Sequence, residues 1–240
     1  STTVNDAKNI KLVPSDSVAV ILPIYNPGDE IVMTLDSLRA QSIPFKLFVT
    51  DDGSTSKPDY HKLLHGFDYE LIELEQNVGV CVVRNESIKL ALDQGFEFLA
   101  MMDCGDWAYP ARLQMQRDFM LKNPEVGLLG TAIEIFEDDV SYFHDYCPPT
   151  QPAALQKSLF YGAAFVHPTM MYRADLLRKI GPYIGDYDVA EDYEIARRAA
   201  RVADVANLPD ILLKKIEDFS SVSTKRRMTG LVSRLRVQWL

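Results

Sequence analysis

Asp103 and Asp106 are three positions apart in MMDCGDWAYP, directly after the apolar run FEFLAMM. Two carboxylates at this spacing could share a divalent metal ion such as Mg²⁺, which prefers oxygen ligands. Gly105 stands where a tighter acidic cluster would carry a third carboxylate. The stretch therefore indicates an intact metal site, a metal site that has lost a ligand, or an acidic strand end without a ligand.

A second acidic pair, Asp51 and Asp52, follows another apolar run in TDDGST (50–55). Carboxylates at such a position can accept hydrogen bonds from a nucleobase or a ribose, while Gly53 allows the chain to turn. A simple polar turn explains the same residues equally well.

Arg84 lies in NVGVCVVRNE (77–86), where its planar guanidinium could hold a ligand. The sequence contains neither a GxGxxG nor a GxxxxGK[ST] motif, so neither a Rossmann dinucleotide fingerprint nor a P-loop is present. Taken alone, Arg84 is better explained by a surface position or a salt bridge than by a ligand contact.

Glu191 and Asp192 open the segment AEDYEIARRAA (190–200), in the first turn of a predicted helix. Stabilisation of the helix end explains carboxylates there, because that end carries positive potential. The same potential would keep Asp192 ionised, as a general base must be. His167 precedes Pro168 and is assigned a structural role, and the scattered histidines and cysteines do not have zinc-ligand spacing.

Composition narrows the class of protein. The formal net charge of −9 argues against nucleic-acid binding, which depends on neutralising phosphates with Lys and Arg. Three widely spaced cysteines fit reduced thiols rather than a disulfide framework. With no apolar run near 18 residues and a polar N-terminal stretch, we expect a soluble cytosolic protein, with any membrane contact peripheral.

Apolar runs alternate with amphipathic segments through the first 136 residues. Strands are predicted at 17–25, 45–53, 69–77, 96–103 and 127–136, and helices at 29–40, 78–95 and 110–123. Past residue 138 we predict a loop at 137–152, short helices, a strand at 167–173 and a helix at 189–202. This alternation predicts an α/β fold with a mostly parallel central sheet and helices on both faces. Ligands bind such sheets beyond the carboxyl ends of the strands, where the acidic pairs fall.

The last residues, 224–240, carry basic side chains without an acid, and Leu231, Leu235 and Trp239 are four apart. We predict two parts, a domain at 1–223 and a basic amphipathic tail at 224–240. The tail could lie on an anionic membrane surface, pack back on the core, or form a dimer contact.

In order and spacing, these motifs resemble the bacterial family 2 glycosyltransferases with the GT-A fold. The resemblance runs from about Val18 to Ser223. It rests on ILPIYN (21–26), VTDDGST (49–55), NVGVCVVRNESIKLA (77–91), FLAMMDCGDWAYP (98–110), HPTMMYRADLLRKIGPY (167–183) and VAEDYEIARRAA (189–200). Each motif is weak alone, and the ordered set is specific.

The resemblance implies transfer of a sugar, with inversion, from a UDP- or dTDP-sugar to a glycan or lipid-linked acceptor. Surface polysaccharide synthesis (O-antigen or capsule), at the inner face of the cell membrane, is the implied setting. Asp192 would be the general base, supported by Glu191, and Asp103 would lie near the ribose and diphosphate. The implied nucleotide-sugar-binding residues are Pro23, Tyr25, Asp51, Asp52, Arg84 and Asp103.

Two departures from the family pattern concern the diphosphate. The family has an acid where this chain has Gly105, so we expect Mg²⁺ or Mn²⁺ to be held more weakly by Asp103 and Asp106. A histidine that the family often carries near the C-terminus is replaced in IEDFSSVS (216–223). The alternative is a non-catalytic nucleotide-sugar-binding relative with a degenerate metal site. A sugar-nucleotidyltransferase is disfavoured, because PIYNPGDE is acidic and lacks a basic Gly-rich loop.

Overall fold

Strands and helices alternate in the computed structural model, which describes residues 13–137, 140–161, 164–185 and 190–216. The strands are β1 Val18–Ile24, β2 Lys46–Asp51, β3 Tyr69–Glu73, β4 Phe98–Met101, β5 Trp107–Ala108, β6 Val126–Phe136, β7 Tyr142–Tyr146, β8 Met171–Arg173 and β9 Asp204–Ile216. The helices are α1 Glu30–Arg39, α2 Tyr60–Leu63, α3 Val80–Asp93, α4 Arg112–Lys122, α5 Pro152–Ser158, α6 Ala174–Ile180 and α7 Glu191–Ala200, with a 3-10 turn at His167–Thr169.

All these strands belong to one sheet, in the order β3-β2-β1-β4-β8-β6-β9-β5, with β7 beside β6. Parallel pairing joins β3, β2, β1 and β4, and also joins β6 to β9. Antiparallel pairing joins β4 to β8, β8 to β6, β6 to β7, and β9 to β5. The predicted parallel order therefore holds for the first four strands, and the sheet as a whole is mixed.

Helices cover both faces of the sheet, as predicted. Alternate residues of β1 point to opposite sides: Val18, Val20 and Leu22 join one hydrophobic cluster, while Ala19 and Ile21 join the other. The first cluster contains the buried side chains of α1 and α4, and the second contains those of α3, α6 and α7. Because both faces are covered, the parallel strands are apolar at nearly every position, and this is why the sequence revealed them.

The second half of the chain departs most from the sequence prediction. The predicted strand at 167–173 divides into the 3-10 turn and the three-residue β8, and the predicted loop at 137–152 contains β7. The 13-residue β9 was not predicted, since Pro209 and Asp210 interrupt its apolar pattern. Its pairing with β6 shifts register in the same region.

No helix in the described ranges is long and apolar enough to cross a membrane. The predicted tail at 224–240 and most of the stretch 216–223 lie outside the described residues. The division into a domain and a tail therefore stays a prediction.

Candidate active site

The carboxyl ends of β1, β2 and β4 form one edge of the sheet. Ile24 pairs with Asp51, and three residues earlier Ile21 pairs with Met101, so the segments that follow these strands emerge side by side. Because the three strands are parallel, five of the predicted site residues lie at this edge: Pro23, Tyr25, Asp51, Asp52 and Asp103. Tyr25 is half exposed there (51%).

Asp51 is fully buried and both its oxygens are engaged. Oδ1 accepts a hydrogen bond from the amide of Ser54 (2.8 Å), and Oδ2 accepts one from the Tyr60 hydroxyl (2.5 Å). These two hydrogen bonds hold the loop after β2 in place. The predicted contact of Asp51 with a nucleotide stays a prediction.

Asp52 connects the β2 loop to the start of α3. Its carboxylate accepts hydrogen bonds from the amides of Val78 (2.7 Å) and Gly79 (3.1 Å) and from the Asn77 side chain (2.9 Å). Gly53 makes the close approach possible, because its φ is +68° and a Cβ there would meet the Gln76 backbone at 2.2 Å. The acidic pair is thus first a scaffold for this edge.

Arg84 joins three of the predicted site residues into one cluster. From α3, its Nη1 donates to Oε1 of Glu191 (3.1 Å) and its Nη2 donates to Oδ1 of Asp103 (3.3 Å). The guanidinium also lies 5.7 Å from the ring centre of Tyr183. Burial lowers the pKa of Arg84, but the negative charge of Asp103 and Glu191 outweighs burial and raises it above its ordinary value.

Asp103 is the most exposed member of this cluster, with 30% of its side chain open against 7% for Arg84 and 14% for Glu191. Burial raises the pKa of Asp103, but His167, Arg84 and Lys215 together outweigh burial and hold this pKa well below its usual range. Asp103 is therefore a carboxylate that can only accept hydrogen bonds.

The segment 103–106 is a tight turn that explains Gly105. The amide of Asp106 donates to the carbonyl of Asp103 (3.3 Å), and Gly105 has φ +99°, a conformation that side chains rarely adopt. The hydroxyl of Thr34 on α1 stabilises the turn. It accepts a hydrogen bond from the Gly105 amide and donates one to the Asp106 carbonyl, both at 2.9 Å. An acid at position 105 would be strained in this turn.

Asp106 is 3% exposed, and Lys215 Nζ lies 3.9 Å from its Oδ2. Burial raises the pKa of Asp106 to about 7; Lys215 opposes this rise and Asp103 adds to it. Within the described residues, Oδ2 is buried and makes no hydrogen bond. A cation bound beside this carboxylate would offset the cost of burying its negative charge.

The described residues contain no group of three Asp, Glu, His or Cys side chains that could hold a metal. Asp103 and Asp106 remain as a pair, and Oδ2 of Asp106, which makes no hydrogen bond within the described residues, could serve as a cation ligand. Two carboxylates suit an ion such as Mg²⁺, which usually keeps waters or substrate phosphates among its ligands.

Glu191 and Asp192 form the first turn of α7, as predicted. Glu191 faces Arg84, whereas Asp192 uses Oδ1 to accept from the amide of Tyr193 (2.7 Å). Asp192 also lies near the buried Tyr183: burial is the main cause of the raised pKa of that phenol, and the charge of Asp192 adds to it. The two carboxylates thus have different surroundings.

Two polar residues beside this cluster, Tyr183 and Tyr172, were missed by sequence reasoning, which had assigned His167 a structural role. His167 Nε2 lies 3.0 Å from Tyr183 Oη, which lies 2.9 Å from Tyr172 Oη. Polar residues in otherwise apolar segments were the available signal, but their burial and convergence depend on the packing of β8 against β4. Lys215 was also missed, because it lies on β9, which the sequence did not predict.

The sequence model of the family described as glycosyl transferase family 2 matches residues 19–181. This range is more than half of the chain, so the chain belongs to glycosyl transferase family 2. The matched range includes Arg84, Asp103 and Asp106, and it ends before Glu191 and Asp192.

The chain is similar to a named glycosyltransferase in sequence and to several solved structures in fold. The O-antigen biosynthesis glycosyltransferase WbnJ of Escherichia coli is 24% identical over 186 residues, which are 75% of this chain and 70% of WbnJ. The crystal structure of Staphylococcus aureus TarS 1–349 has a TM-score of 0.69 at 22% identity, over 92% of this chain and 69% of that one. A complex of TarS 1–349 with UDP-GlcNAc has a TM-score of 0.66 at 22% identity, over 84% and 58%.

The mannosyltransferase PcManGT of Pyrobaculum calidifontis, solved with GDP-Man and Mn²⁺, has a TM-score of 0.67 at 20% identity, over 91% of this chain and 63% of that one. At these identities the solved structures show the fold alone, and it is the GT-A fold. The chain spans between 58% and 70% of the lengths of WbnJ, this TarS complex and PcManGT.

Proposed function

We propose that this chain is an inverting glycosyltransferase that moves a sugar from a UDP- or dTDP-sugar to a glycan or lipid-linked acceptor. The observation that carries the proposal is the bridge made by Arg84 between Asp103, at the strand edge, and Glu191, at the start of α7. Family membership supports the transferase activity, and the similar TarS and PcManGT structures contain nucleotide-sugars.

In this proposal the nucleotide lies along the edge formed by Pro23, Tyr25 and the loops held by Asp51 and Asp52. The half-exposed Tyr25 ring offers a surface for the base. Arg84 holds Asp103 ionised and in place, so that Asp103 can accept hydrogen bonds from hydroxyl groups of the donor.

Asp192 acts as the general base. With Oδ1 engaged by the Tyr193 amide, Oδ2 takes the proton of the acceptor hydroxyl. The acceptor oxygen bonds to the anomeric carbon from the face opposite the leaving group, and the anomeric C–O bond breaks with its electron pair on the nucleoside diphosphate. Glu191 is neutralised by Arg84, so it orients the start of α7 rather than competing for that proton.

Asp103 and Asp106 would hold Mg²⁺ or Mn²⁺, which would neutralise the charge of the leaving diphosphate. Lys215, 3.9 Å from Asp106, adds positive charge at the same place. Because the described residues offer only two carboxylates there, we expect a weakly held ion.

Surface polysaccharide synthesis is the setting that we propose, because a similar protein is named for O-antigen biosynthesis. A lipid-linked acceptor would place the enzyme in the cytoplasm, at the inner face of the membrane. The basic tail at 224–240 would provide peripheral membrane contact. Binding to liposomes with and without residues 224–240 tests this part, and equal binding by the two forms would remove it.

The test of function is a transfer assay. Purified protein is screened by thermal shift against UDP- and dTDP-sugars with Mn²⁺, because a ligand of the native state raises its stability. The best donor is then incubated with candidate glycan acceptors, and the anomeric configuration of the product is determined by NMR. An inverted product supports the proposal and a retained one contradicts it. Donor binding without hydrolysis or transfer would favour the non-catalytic alternative.

A further inference from the structure

Two pairs of neighbouring aromatic side chains are exposed in the described ranges. Phe160 and Tyr161, which follow α5, are 59% and 68% exposed, and Tyr142 and Phe143 on β7 are 56% and 50% exposed. Transfer of apolar surface out of water is favourable, so each pair is a candidate contact surface. The charges around the two pairs differ, and they decide what each pair could contact.

Basic side chains lie beside the pair that follows α5. The guanidinium of Arg197, on α7, lies 5.8 Å from the ring centre of Phe160 and 5.7 Å from that of Tyr193. Arg201, one helical turn after Arg197, is exposed, and so is Lys157 in α5. Aromatic and cationic side chains are therefore interleaved on one surface.

An open groove between α5 and α7 joins these side chains. The residues that line it are Gln156, Leu159, Phe160, Arg197, Ala200 and Arg201. The Tyr193 hydroxyl donates a hydrogen bond to the carbonyl of Phe160 (2.8 Å), which holds the chain after α5 against α7. We call this surface, defined by Lys157, Phe160, Tyr161, Arg197 and Arg201, the α5–α7 face.

The acids of these two helices are not among the residues of the α5–α7 face. Helix α5 (PAALQKS) contains none. Those of α7, which are Glu191, Asp192 and Glu194, lie in its first turn, and Glu194 forms an ion pair with Arg198 (2.6 Å). The α5–α7 face is therefore a local excess of positive charge on a chain whose formal net charge is −9.

The aromatic pair on β7 lies among acids instead. The Tyr142 hydroxyl donates to Oδ1 of Asp145 on the same strand (3.1 Å), and Asp145 pairs across the strands with Glu134 on β6. These carboxylates would repel an anionic surface. Of the two exposed pairs, only Phe160 and Tyr161 are therefore suited to an anionic partner.

We propose that the α5–α7 face docks on an anionic phospholipid bilayer. Phe160 and Tyr161 enter the level of the headgroups, where aromatic rings are favoured, and Lys157, Arg197 and Arg201 contact the lipid phosphates. The long basic side chains keep their charged ends among the phosphates while their stems cover apolar surface. The inference goes beyond the proposed function, since docking requires no sugar transfer.

The position of the face on α7 gives docking a consequence for the proposed reaction. Asp192 opens the same helix, about 7.5 Å along the axis from Arg197 at the usual rise per residue. A bilayer on the α5–α7 face would therefore hold a lipid-linked acceptor close to the proposed base. Stable membrane attachment usually takes two weak contacts, and the basic tail at 224–240 would be the second.

The test measures binding of the whole chain to two kinds of vesicle by flotation. One kind contains phosphatidylcholine and phosphatidylglycerol in equal parts, and the other contains phosphatidylcholine alone. Two double variants change the face: Arg197→Gln with Arg201→Gln, and Phe160→Ser with Tyr161→Ser. The tail is present in every variant, so differences in binding report on the face.

Each double variant has a matched control. Lys62→Gln with Lys122→Gln also removes two exposed cations, but from α2 and α4, which pack on the opposite side of the sheet from α5 and α7. Tyr142→Ser with Phe143→Ser removes the other exposed aromatic pair. Thermal denaturation shows which variants keep the fold, and the arginine variant decides alone if the Phe160 and Tyr161 variant has lost it.

We expect wild-type protein to bind the anionic vesicles and to bind phosphatidylcholine vesicles weakly. The arginine variant should bind the anionic vesicles about tenfold less tightly, and raised salt should remove this difference because it screens charge. The Phe160 and Tyr161 variant should also lose about tenfold, and that loss should persist in salt. Both controls should bind within about twofold of the wild type.

Three results would overturn the inference. One is an absence of wild-type binding to the anionic vesicles, and another is an equal loss in the arginine variant and its lysine control, which would make net charge the cause. The third is a dimer in sedimentation without vesicles that the face variants dissociate, which would assign the face to a second copy of the chain. Transfer to a water-soluble acceptor without vesicles should be unchanged in the face variants, so the proposed function is tested separately.

Discussion

Nη1 of Arg84 lies 3.1 Å from Oε1 of Glu191, a residue 107 positions further along the chain. The family match ends at residue 181. This contact therefore joins Arg84, which lies inside the matched range, to helix α7, which begins after it. The pair is largely buried, with 7% and 14% of the two side chains exposed. Its geometry ties the strand-edge acids to the proposed base, and it leads to the first two predictions.

Asp192→Asn should lower kcat for sugar transfer by about 10²- to 10⁴-fold, the usual contribution of a general base. Donor binding should be kept, because Asp192 faces the acceptor in the proposed mechanism. Steady-state kinetics and donor calorimetry test both parts. Asp175→Asn, on a side chain that is 80% exposed in α6, is the matched control and should keep normal kcat. Undiminished turnover in Asp192→Asn would remove the base assignment.

Arg84→Met should lower the free energy of unfolding by about 3 kcal/mol, because it leaves the carboxylates of Asp103 and Glu191 without their cation. Arg178→Met breaks an exposed pair with Asp175 and should cost less than about 1 kcal/mol. Urea unfolding measures both.

A double mutant of the same pair separates charge from packing. Adding Glu191→Gln to Arg84→Met should recover part of the loss, because it removes one of the stranded charges. If the two single effects simply add, the Arg84–Glu191 contact contributes no coupling and the pairing carries less energy than its burial indicates.

Gly105→Ala should destabilise the protein by about 1 to 2 kcal/mol through backbone strain, because its φ is +99°. Gly66→Ala is the matched control, with φ +87° and no atom near the added Cβ. We expect similar losses of stability in both variants but lower transfer activity only in Gly105→Ala, since only that turn carries Asp103 and Asp106. A neutral Gly105→Ala would mean that the turn tolerates a side chain, and the loss of the acid would then need another explanation.

The stability of the protein should depend on pH through Asp106, whose pKa burial raises to about 7. Between about pH 4 and 7 the folded protein holds a proton that the unfolded chain has released, so stability falls as pH rises. Relative to Asp106→Asn, the wild type should lose up to about 1.4 kcal/mol per pH unit in this window and level off above it. Denaturant unfolding from pH 4 to 8 measures the difference, and a flat difference contradicts the raised pKa.

Chelation should reduce transfer. EDTA removes the ion that neutralises the leaving diphosphate, and Mn²⁺ or Mg²⁺ should restore the rate. Asp106→Asn should need more Mn²⁺ for half-maximal rate than the wild type, because it removes one of only two carboxylates. Full activity in EDTA would take the metal out of the mechanism and leave Arg84 and Lys215 as the nearby cations.

Local patterns were sufficient for part of this protein. The buried parallel strands β1, β2 and β4 are continuous apolar runs. Helix α3 has helical apolar spacing, and turn residues or prolines mark the ends of α1 and α4, so all six elements were predicted within a few residues. By contrast β9 is long but contains Pro209, and β5 has two residues, so neither carries a periodic signal. Their partners come from distant parts of the chain, and pairing rather than propensity makes them strands.

The sequence alone determined the family, the parallel half of the sheet and the identity of the acids at its edge, because residue types and short spacings carry that information. The tertiary structure decided what each acid contacts. It buried Asp51 and Asp52 as scaffolding, placed Arg84 between Asp103 and Glu191, and brought His167 against Asp103. It also accounts for Gly105, whose left-handed turn disfavours the acid that a metal site would use. These outcomes depend on burial and long-range contact, which a local pattern does not record.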